Sequence, residues 1–146
     1  MSELIYGQDE TLIEWAQKII GCKFRADATA IGHASDGEIL AVAVFDGFSE
    51  CDCNMHIASD GSGHVLSRRF LTAAFAYPFI QLNMRRVTGL VPASNTRALK
   101  FDYHLGFVFE GRCRNALPND DIIILGMLRE ECPFLPEKYR SPNHAQ

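Results

Sequence analysis

The chain has 146 residues and a net charge of −4, with 47% hydrophobic and 22% charged residues. No apolar run approaches the roughly 18 residues that cross a bilayer, which excludes a membrane-spanning helix, and the negative charge argues against a nucleic-acid backbone as the partner. This length suits one hydrophobic core, so we expect a single domain over residues 1–130 and a proline-containing tail over 131–146.

The cysteines indicate a reducing compartment. They are odd in number and lack the spacing of a disulfide framework, and no basic and apolar leader opens the chain, so we expect a cytoplasmic protein. Cys51 and Cys53, together with His56, have the residue types of metal ligands, but a fourth ligand at suitable spacing is missing. We therefore expect a half-buried strand and no metal there. The five are Cys22, Cys51, Cys53, Cys113 and Cys132.

The first half of the chain predicts a helix and three strands. A helix from Asp9 to Ile20 has an apolar stripe at helical spacing, and Gly21 ends it. Strands over residues 28–33 and 38–45 flank a Ser-Asp-Gly turn and form a hairpin. The run from Ile39 to Phe45 is almost wholly apolar, which is typical of a central strand covered on both faces. A strand over 51–59 follows.

The second half predicts alternating helices and strands. A helix is predicted from about Val65 to Tyr77, where Pro78 ends the pattern. A strand covers 86–91, and Asn95 opens the next helix as an N-cap residue. Gly106 ends that helix, and strands over 107–111 and 121–128 follow, with a loop expected between Arg114 and Asp121. The tail from Glu130 is expected to pack along the surface or to fray. This order predicts an α/β fold, with helices on both faces of a mixed sheet.

Two glycines lie in a polar loop between a strand and a helix. Gly61 and Gly63 let the backbone approach a ligand closely, and the amides at a helix N-terminus attract anions. A plain surface turn explains the same residues. The loop is therefore either a phosphate cradle or a simple connection.

The span from Asn95 to Arg114 carries a specific resemblance. It reads N-x-x-A-x-x-x-x-x-x-L-G-F-x-x-E-G-x-x-R, which resembles the C-terminal signature of the GCN5-related N-acetyltransferase superfamily, nearest its ribosomal-protein alanine acetyltransferase branch. The resemblance implies a mixed, largely antiparallel sheet of six or seven strands with helices on both faces. It also implies direct acetyl transfer from acetyl-CoA, the cofactor, to an amine. Two alternatives are a phage-type DNA-modifying relative and a catalytically silent coenzyme-binding module. A homodimer through the apolar tail is a further expectation.

The resemblance also implies which residues bind the coenzyme. Its pantetheine arm would pair with the end of the fourth strand, and its pyrophosphate would lie in the glycine loop. Ala58 stands where glutamine or arginine is usual, and two arginines in the next helix are candidates to supply that charge, although a solvated helix face explains them equally well. The predicted coenzyme-binding residues are Ile57, Ala58, Ser59, Asp60, Gly61, Ser62, Gly63, His64, Arg68, Arg69 and Asn95.

Acid and base are less clearly marked. Asn95 is implied to lie beside the acetyl-transfer point as well as capping its helix. Relatives often place a proton-donating tyrosine seven residues after this asparagine, but Asp102 occupies that position and Tyr103 follows one residue later, about 100° around the helix. His56 is a candidate base, because imidazole generally titrates near neutral pH; a structural strand histidine is the alternative. The predicted catalytic residues are thus His56, Asn95 and Tyr103.

Glu110 and Arg114 complete the signature. In related enzymes this element lies near the acceptor, which implies a substrate-binding role for both residues. Opposite charges four residues apart in a strand also share one face, so an ion pair between them is the structural alternative.

Overall fold

The computed structural model describes residues 2–61 and 66–141, which form one seven-stranded sheet flanked by three α-helices. All neighbouring strands are antiparallel except the fourth and fifth, which are parallel. The predicted mixed, largely antiparallel sheet is therefore confirmed. In spatial order the strands are β1 (Ser2–Ile5), β2 (Thr29–Ser35), β3 (Glu38–Asp46), β4 (Asp52–Ser59), β5 (Arg86–Pro92), β7 (Asp120–Leu128) and β6 (Val108–Leu117). The helices are α1 (Asp9–Ile20), α2 (Arg68–Ala76) and α3 (Thr96–Leu105).

Helices cover both faces of the sheet, as predicted. On one face, α1 packs against Val42 and Val44 of β3. On the other face, Ala43 and Phe45 belong to a larger cluster that includes side chains of α2 and α3. Successive side chains of a strand point to opposite faces, so these clusters lie on opposite sides of the sheet. The central position of the apolar run is confirmed, since residues 41–45 have no exposed surface.

Capping residues determine where the helices begin and end. The Asn95 side chain accepts a hydrogen bond from the Ala98 amide, and Gly106 takes the left-handed conformation after α3, so both predicted signals are confirmed. The start predicted near Val65 falls outside the described residues, and α2 begins at Arg68. Ser67 caps that helix by accepting a hydrogen bond from the Phe70 amide at 3.1 Å. None of the described helices has the length and hydrophobicity that crossing a bilayer requires.

Three segments differ from the sequence prediction. The short β1 was not predicted, because four residues carry little periodicity. The expected loop between Arg114 and Asp121 is wrong: β6 continues to Leu117 and turns directly into β7. Its polar composition reflects its position at the sheet edge, where only β7 pairs with it. The tail also differs, because Cys132 and Leu135 are buried in the cluster that contains α2 and α3.

Candidate active site

A cleft opens in the middle of the sheet where β4 and β5 separate. These strands pair only over their first three residues, the last pair being Asn54 and Thr88. Beyond that point β4 stays paired with β3 up to Ser59, and β5 stays paired with β7 up to Pro92. Residues 55–59 and 89–92 therefore face each other without strand pairing among the described residues. We call this opening the cleft; the divergence that a backbone-binding edge on β4 requires is present.

His56 lies on the β4 side of the cleft and is tied to a carboxylate. Its Nε2 atom is 3.1 Å from Oδ1 of Asp46, and its ring lies 5.0 Å from the ring of Phe24, measured between centroids. An ionised carboxylate only accepts hydrogen bonds, so Nε2 carries the proton in the neutral form of the ring, and the lone pair of that form is on Nδ1. The side chain is 18% exposed. His56 can thus accept a proton at Nδ1.

Asp46 holds His56 in place. The carboxylate is buried, and its Oδ2 accepts a hydrogen bond from the Arg25 amide at 3.0 Å. Burial alone would raise the pKa of Asp46, but hydrogen bonds from His56, the Arg25 amide and Asn54 outweigh it and lower the pKa. Asp46 is therefore an anion at neutral pH. Sequence reasoning missed it, because only the pairing of β3 with β4 brings it beside His56.

Asp102 lies on the opposite side of the cleft. Its Oδ2 is 3.8 Å from the place where a Cβ would sit on Gly89, the first residue of β5 beyond the paired segment. Burial raises the pKa of Asp102 to about 6, with a smaller opposing effect of the His56 charge. No hydrogen bond or ion pair to this carboxyl is found within residues 2–61 and 66–141. Tyr103, one of the predicted catalytic residues, is 44% exposed, and its catalytic role stays a prediction.

The predicted coenzyme-binding residues at the end of β4 lie along the cleft. Ile57, Ala58 and Ser59 carry backbone groups on the unpaired edge, while the Ala58 side chain is buried against the α1 cluster. The Asp60 amide donates to the Leu40 carbonyl at 3.0 Å, so this amide already has a partner. The end of β4 therefore presents unpaired backbone groups to the cleft, whereas the Asp60 amide holds the chain at the point where it leaves the strand.

The glycine loop is described only at its first residue. Gly61 has φ = +89°, and no atom of the described residues lies within 4 Å of the position a Cβ would take. Ser62, Gly63 and His64, predicted to bind the coenzyme, lie outside the described residues. Gly61 leaves open space at the end of β4 where a ligand can approach the backbone.

Two arginines occupy the first turn of α2, which contains no acidic residue. The Arg68 guanidinium donates to the Pro133 carbonyl at 3.1 Å and lies 5.5 Å from the Phe134 ring centroid. Arg69 lies 3.5 Å from the Ser2 carbonyl. Both groups thus contact the chain ends, and their charge adds to the positive end of the helix dipole.

Asn95 lies at the end of β5 and is held there from β7. The neighbouring Ser94 donates its amide and its hydroxyl to Oδ2 of Asp120, at 3.2 and 2.6 Å. The Ser94 hydrogen bond is the main cause of the lowered pKa of Asp120. The turn between β5 and α3 is therefore fastened to the sheet, and Asn95 with it.

Glu110 and Arg114 do not form the ion pair that their spacing allowed. Glu110 pairs instead with Arg86 of β5, with Arg86 Nη2 2.6 Å from Glu110 Oε1. Arg86 also lies 3.6 Å from Asp52, and Thr88 donates to the same carboxylate at 2.9 Å. Arg114 is exposed and has no ion pair among the described residues. The prediction of substrate binding by Glu110 and Arg114 stays a prediction.

The cysteines show no metal site in the part of the chain that the structure describes, where no three His, Cys, Asp or Glu side chains group together. Burial raises the pKa of the Cys53 thiol to about 12, so this thiol stays protonated. Cys51, two residues away, is exposed. Cys53 is a small buried side chain of the core, as the strand interpretation predicted.

No protein-family model and no curated protein matches the chain. Solved structures do match. A chimera of spermidine N-acetyltransferase SpeG from Vibrio cholerae with hSSAT is 14% identical, with a TM-score of 0.70 over 87% of this chain and 95% of that chain. A SpeG point mutant is 17% identical, with a TM-score of 0.66 over 88% and 77%. The protein yncA from Salmonella typhimurium, a candidate acetyltransferase solved with its cofactor acetyl-CoA, is 8% identical, with a TM-score of 0.67 over 87% and 93%. These likenesses establish that the chain has the fold of the GCN5-related N-acetyltransferases.

Proposed function

We propose that this protein transfers an acetyl group from acetyl-CoA to an amine. The observation that carries the proposal is the cleft between β4 and β5, with His56 against one of its walls and Asp102 against the other. The fold shared with acetyltransferases supports the reaction class. A cleft with unpaired backbone groups beside two ionisable side chains suits a catalytic role in acyl transfer better than a purely structural role.

The residues present fit the coenzyme. The unpaired edge of β4 offers backbone at Ile57, Ala58 and Ser59 to the amides of the pantetheine arm. The open space at Gly61 and the basic first turn of α2 suit a pyrophosphate. Acetyl-CoA would supply the activated thioester acyl group. Binding then depends on backbone and on helix dipole more than on the glutamine or arginine that Ala58 replaces.

In this proposal His56 is the general base. Most amines are protonated at neutral pH and must lose a proton before they attack an acyl carbon. Nδ1 of His56 takes that proton, and the Asp46 carboxylate, 3.1 Å from Nε2, stabilises the charged ring. Asn95, fixed at the end of β5, is proposed to line the same site.

The acceptor belongs to one of two classes, a small amine or a protein N-terminus. The SpeG structures make spermidine a suitable first candidate. The pattern from Asn95 to Arg114, with its resemblance to the ribosomal-protein alanine branch, makes short peptides with a free N-terminus the second. Glu110 and Arg114 are proposed to contact the acceptor from β6.

Binding and transfer test the proposal in sequence. Acetyl-CoA and coenzyme A should each raise the melting temperature of the protein, whereas a plain nucleotide should not. Mass spectrometry of an amine panel, containing spermidine and N-terminal peptides, should then show addition of an acetyl group. Failure of both thiol forms to shift the melting temperature would overturn the proposal. A shift without transfer to any amine would favour the catalytically silent module.

The role of His56 is tested by substitution. His56→Gln should lower kcat by about 10²- to 10⁴-fold and leave the melting shift with acetyl-CoA unchanged. His104→Gln, at an exposed position in the last turn of α3, is the matched control and should behave as the unmodified protein. Full activity of His56→Gln would assign the histidine to structure alone.

A further inference from the structure

The role proposed for His56 accounts for one proton and leaves Asp102 without a function. We propose that Asp102 is the catalytic acid, and that its carboxyl delivers the proton that the departing sulfur atom takes up. This inference rests on the proposed acetyl transfer. It assigns a role to the residue that replaces the tyrosine often found at this position in related enzymes.

Asp102 and His56 approach the cleft from opposite faces of the sheet. His56 pairs with Val44, whose side chain packs in the α1 cluster. Asp102 belongs to α3 and lies against Gly89, whose strand neighbours Val87 and Val91 point into the cluster on the other face. A proton can therefore be removed on one side of the sheet and supplied on the other, without the two groups exchanging it directly.

The surroundings of Asp102 favour the protonated acid. Burial raises its pKa to about 6, so about a tenth of the molecules carry the proton at pH 7. His56 of β4 is the titratable side chain of the described residues that opposes this rise. No donor among the described residues stabilises the carboxylate. A carboxyl that is kept partly neutral near pH 7 is suited to donate a proton.

The proton balance of the reaction closes with these two residues. The bond from nitrogen to the acyl carbon forms, and the bond from that carbon to sulfur breaks, with the bonding pair leaving on sulfur. The protonated amine first releases one proton to solvent through Nδ1 of His56. After the attack the nitrogen loses a second proton to Nδ1, and the Asp102 carboxyl gives one proton to the sulfur. Charged His56 and the Asp102 carboxylate then return to their starting states by one proton passing through solvent. No oxidant, reductant or covalent enzyme intermediate is needed.

The first test measures Asp102 in the free protein. Carbon-13 NMR of labelled aspartate carboxyls should show one group that titrates near pH 6 and disappears in Asp102→Asn. Titration of the Asp102 carboxyl near its ordinary value would overturn the inference, whether or not the protein transfers acetyl groups.

The second test is kinetic. Asp102→Asn should lower kcat by about 10²- to 10⁴-fold and leave the melting shift with acetyl-CoA unchanged. The fall of kcat/KM above about pH 6 should be present in the unmodified protein and absent from the variant. Asp102→Glu, which keeps the carboxyl, should recover part of the rate; it also serves if Asp102→Asn folds poorly.

The outcomes separate the two proposals. No melting shift with acetyl-CoA or coenzyme A overturns acetyl transfer itself. A melting shift and acetyl transfer, with unchanged kcat in Asp102→Asn, overturns only the role of Asp102. A lowered kcat that keeps the same fall at high pH also overturns it, because that result indicates a structural effect.

Discussion

Arg86 on β5 and Glu110 on β6 form a two-point ion pair across β7. Arg86 Nη2 lies 2.6 Å from Glu110 Oε1, and Nη1 lies 3.3 Å from Oε2. The strand between them contributes Gly126 at this point, and a Cβ there would overlap the carboxylate and the guanidinium. The Glu110 carboxylate raises the pKa of Arg86 further, against the effect of burial. The ion pair thus requires glycine in the intervening strand.

Gly126→Ala should break this ion pair. The overlapping atoms are the ends of two flexible side chains, so we expect them to separate and the backbone to stay in place. The loss of a partly exposed two-point ion pair should lower the free energy of unfolding by about 1 kcal/mol, measured by urea denaturation. Gly111→Ala is the matched control on β6, where no atom lies within 4 Å of the new Cβ. Equal stability of the two variants would contradict this account of Gly126.

Asp46→Asn should destabilise the protein in a pH-dependent manner. Folding lowers the pKa of Asp46, so its contribution is present above the ordinary aspartate value and is lost as the pH falls through the folded value. We expect a loss of about 2 kcal/mol at pH 7 that shrinks below about pH 4. Urea denaturation at several pH values measures it. Glu14→Gln, which removes one partner of an exposed ion pair with Lys18, should show almost no effect on stability at any of these pH values. A loss that does not change with pH would indicate a change of packing.

Asp102→Asn should have the opposite sign. The folded carboxyl holds its proton up to about pH 6, whereas an ordinary aspartate has a pKa of 3.8, so the free energy of unfolding of the natural protein falls as pH rises through this window. The asparagine variant lacks this loss. It should be more stable above pH 7, by at most about 3 kcal/mol, and equal to the unmodified protein below about pH 4. Thermal melting across this range is the measurement; a variant less stable at high pH would contradict the raised pKa of the Asp102 carboxyl.

Gly61→Ala should weaken coenzyme binding. Gly61 has φ = +89°, and Gly37, in the turn between β2 and β3, has φ = +83°. Within residues 2–61 and 66–141, neither has an atom closer than 4 Å to a new Cβ. Alanine at either position should therefore cost about 1 kcal/mol of stability through backbone strain. Only Gly61→Ala should reduce the affinity for coenzyme A, measured by isothermal titration calorimetry. The same affinity in both variants would place the pyrophosphate elsewhere.

Local signals in the sequence predicted most elements of the fold. Asn95 and Gly106 bound α3, and Gly21 ends α1, because capping depends on a few consecutive residues. The apolar run at the centre of β3 predicted that this strand is buried, because such a run is also a signal carried by consecutive residues. Errors occurred where the pattern was short or ambiguous, as in the four-residue β1 and the polar edge strand β6.

The candidate site depended on contacts between distant parts of the chain. His56 could be proposed from its strand, but Asp46, ten residues earlier, is its partner only because β3 and β4 run antiparallel. Glu110 was within reach of Arg114 by spacing, yet it pairs with Arg86 across β7. Each of these partners is selected by strand order, which local residue patterns do not encode.

By itself the sequence determined the type and approximate position of the principal helices and strands, because turns, caps and apolar periodicity act over a few residues. The tertiary structure alone decided that β4 and β5 separate after Asn54 and Thr88, and that Asp102 of α3 lies against Gly89 just beyond that point. The physical reason is that burial raises the pKa of a carboxyl only once other segments have closed around it. Asp102, which replaces the tyrosine of related enzymes in the sequence signature, thus became a candidate acid once the fold was known.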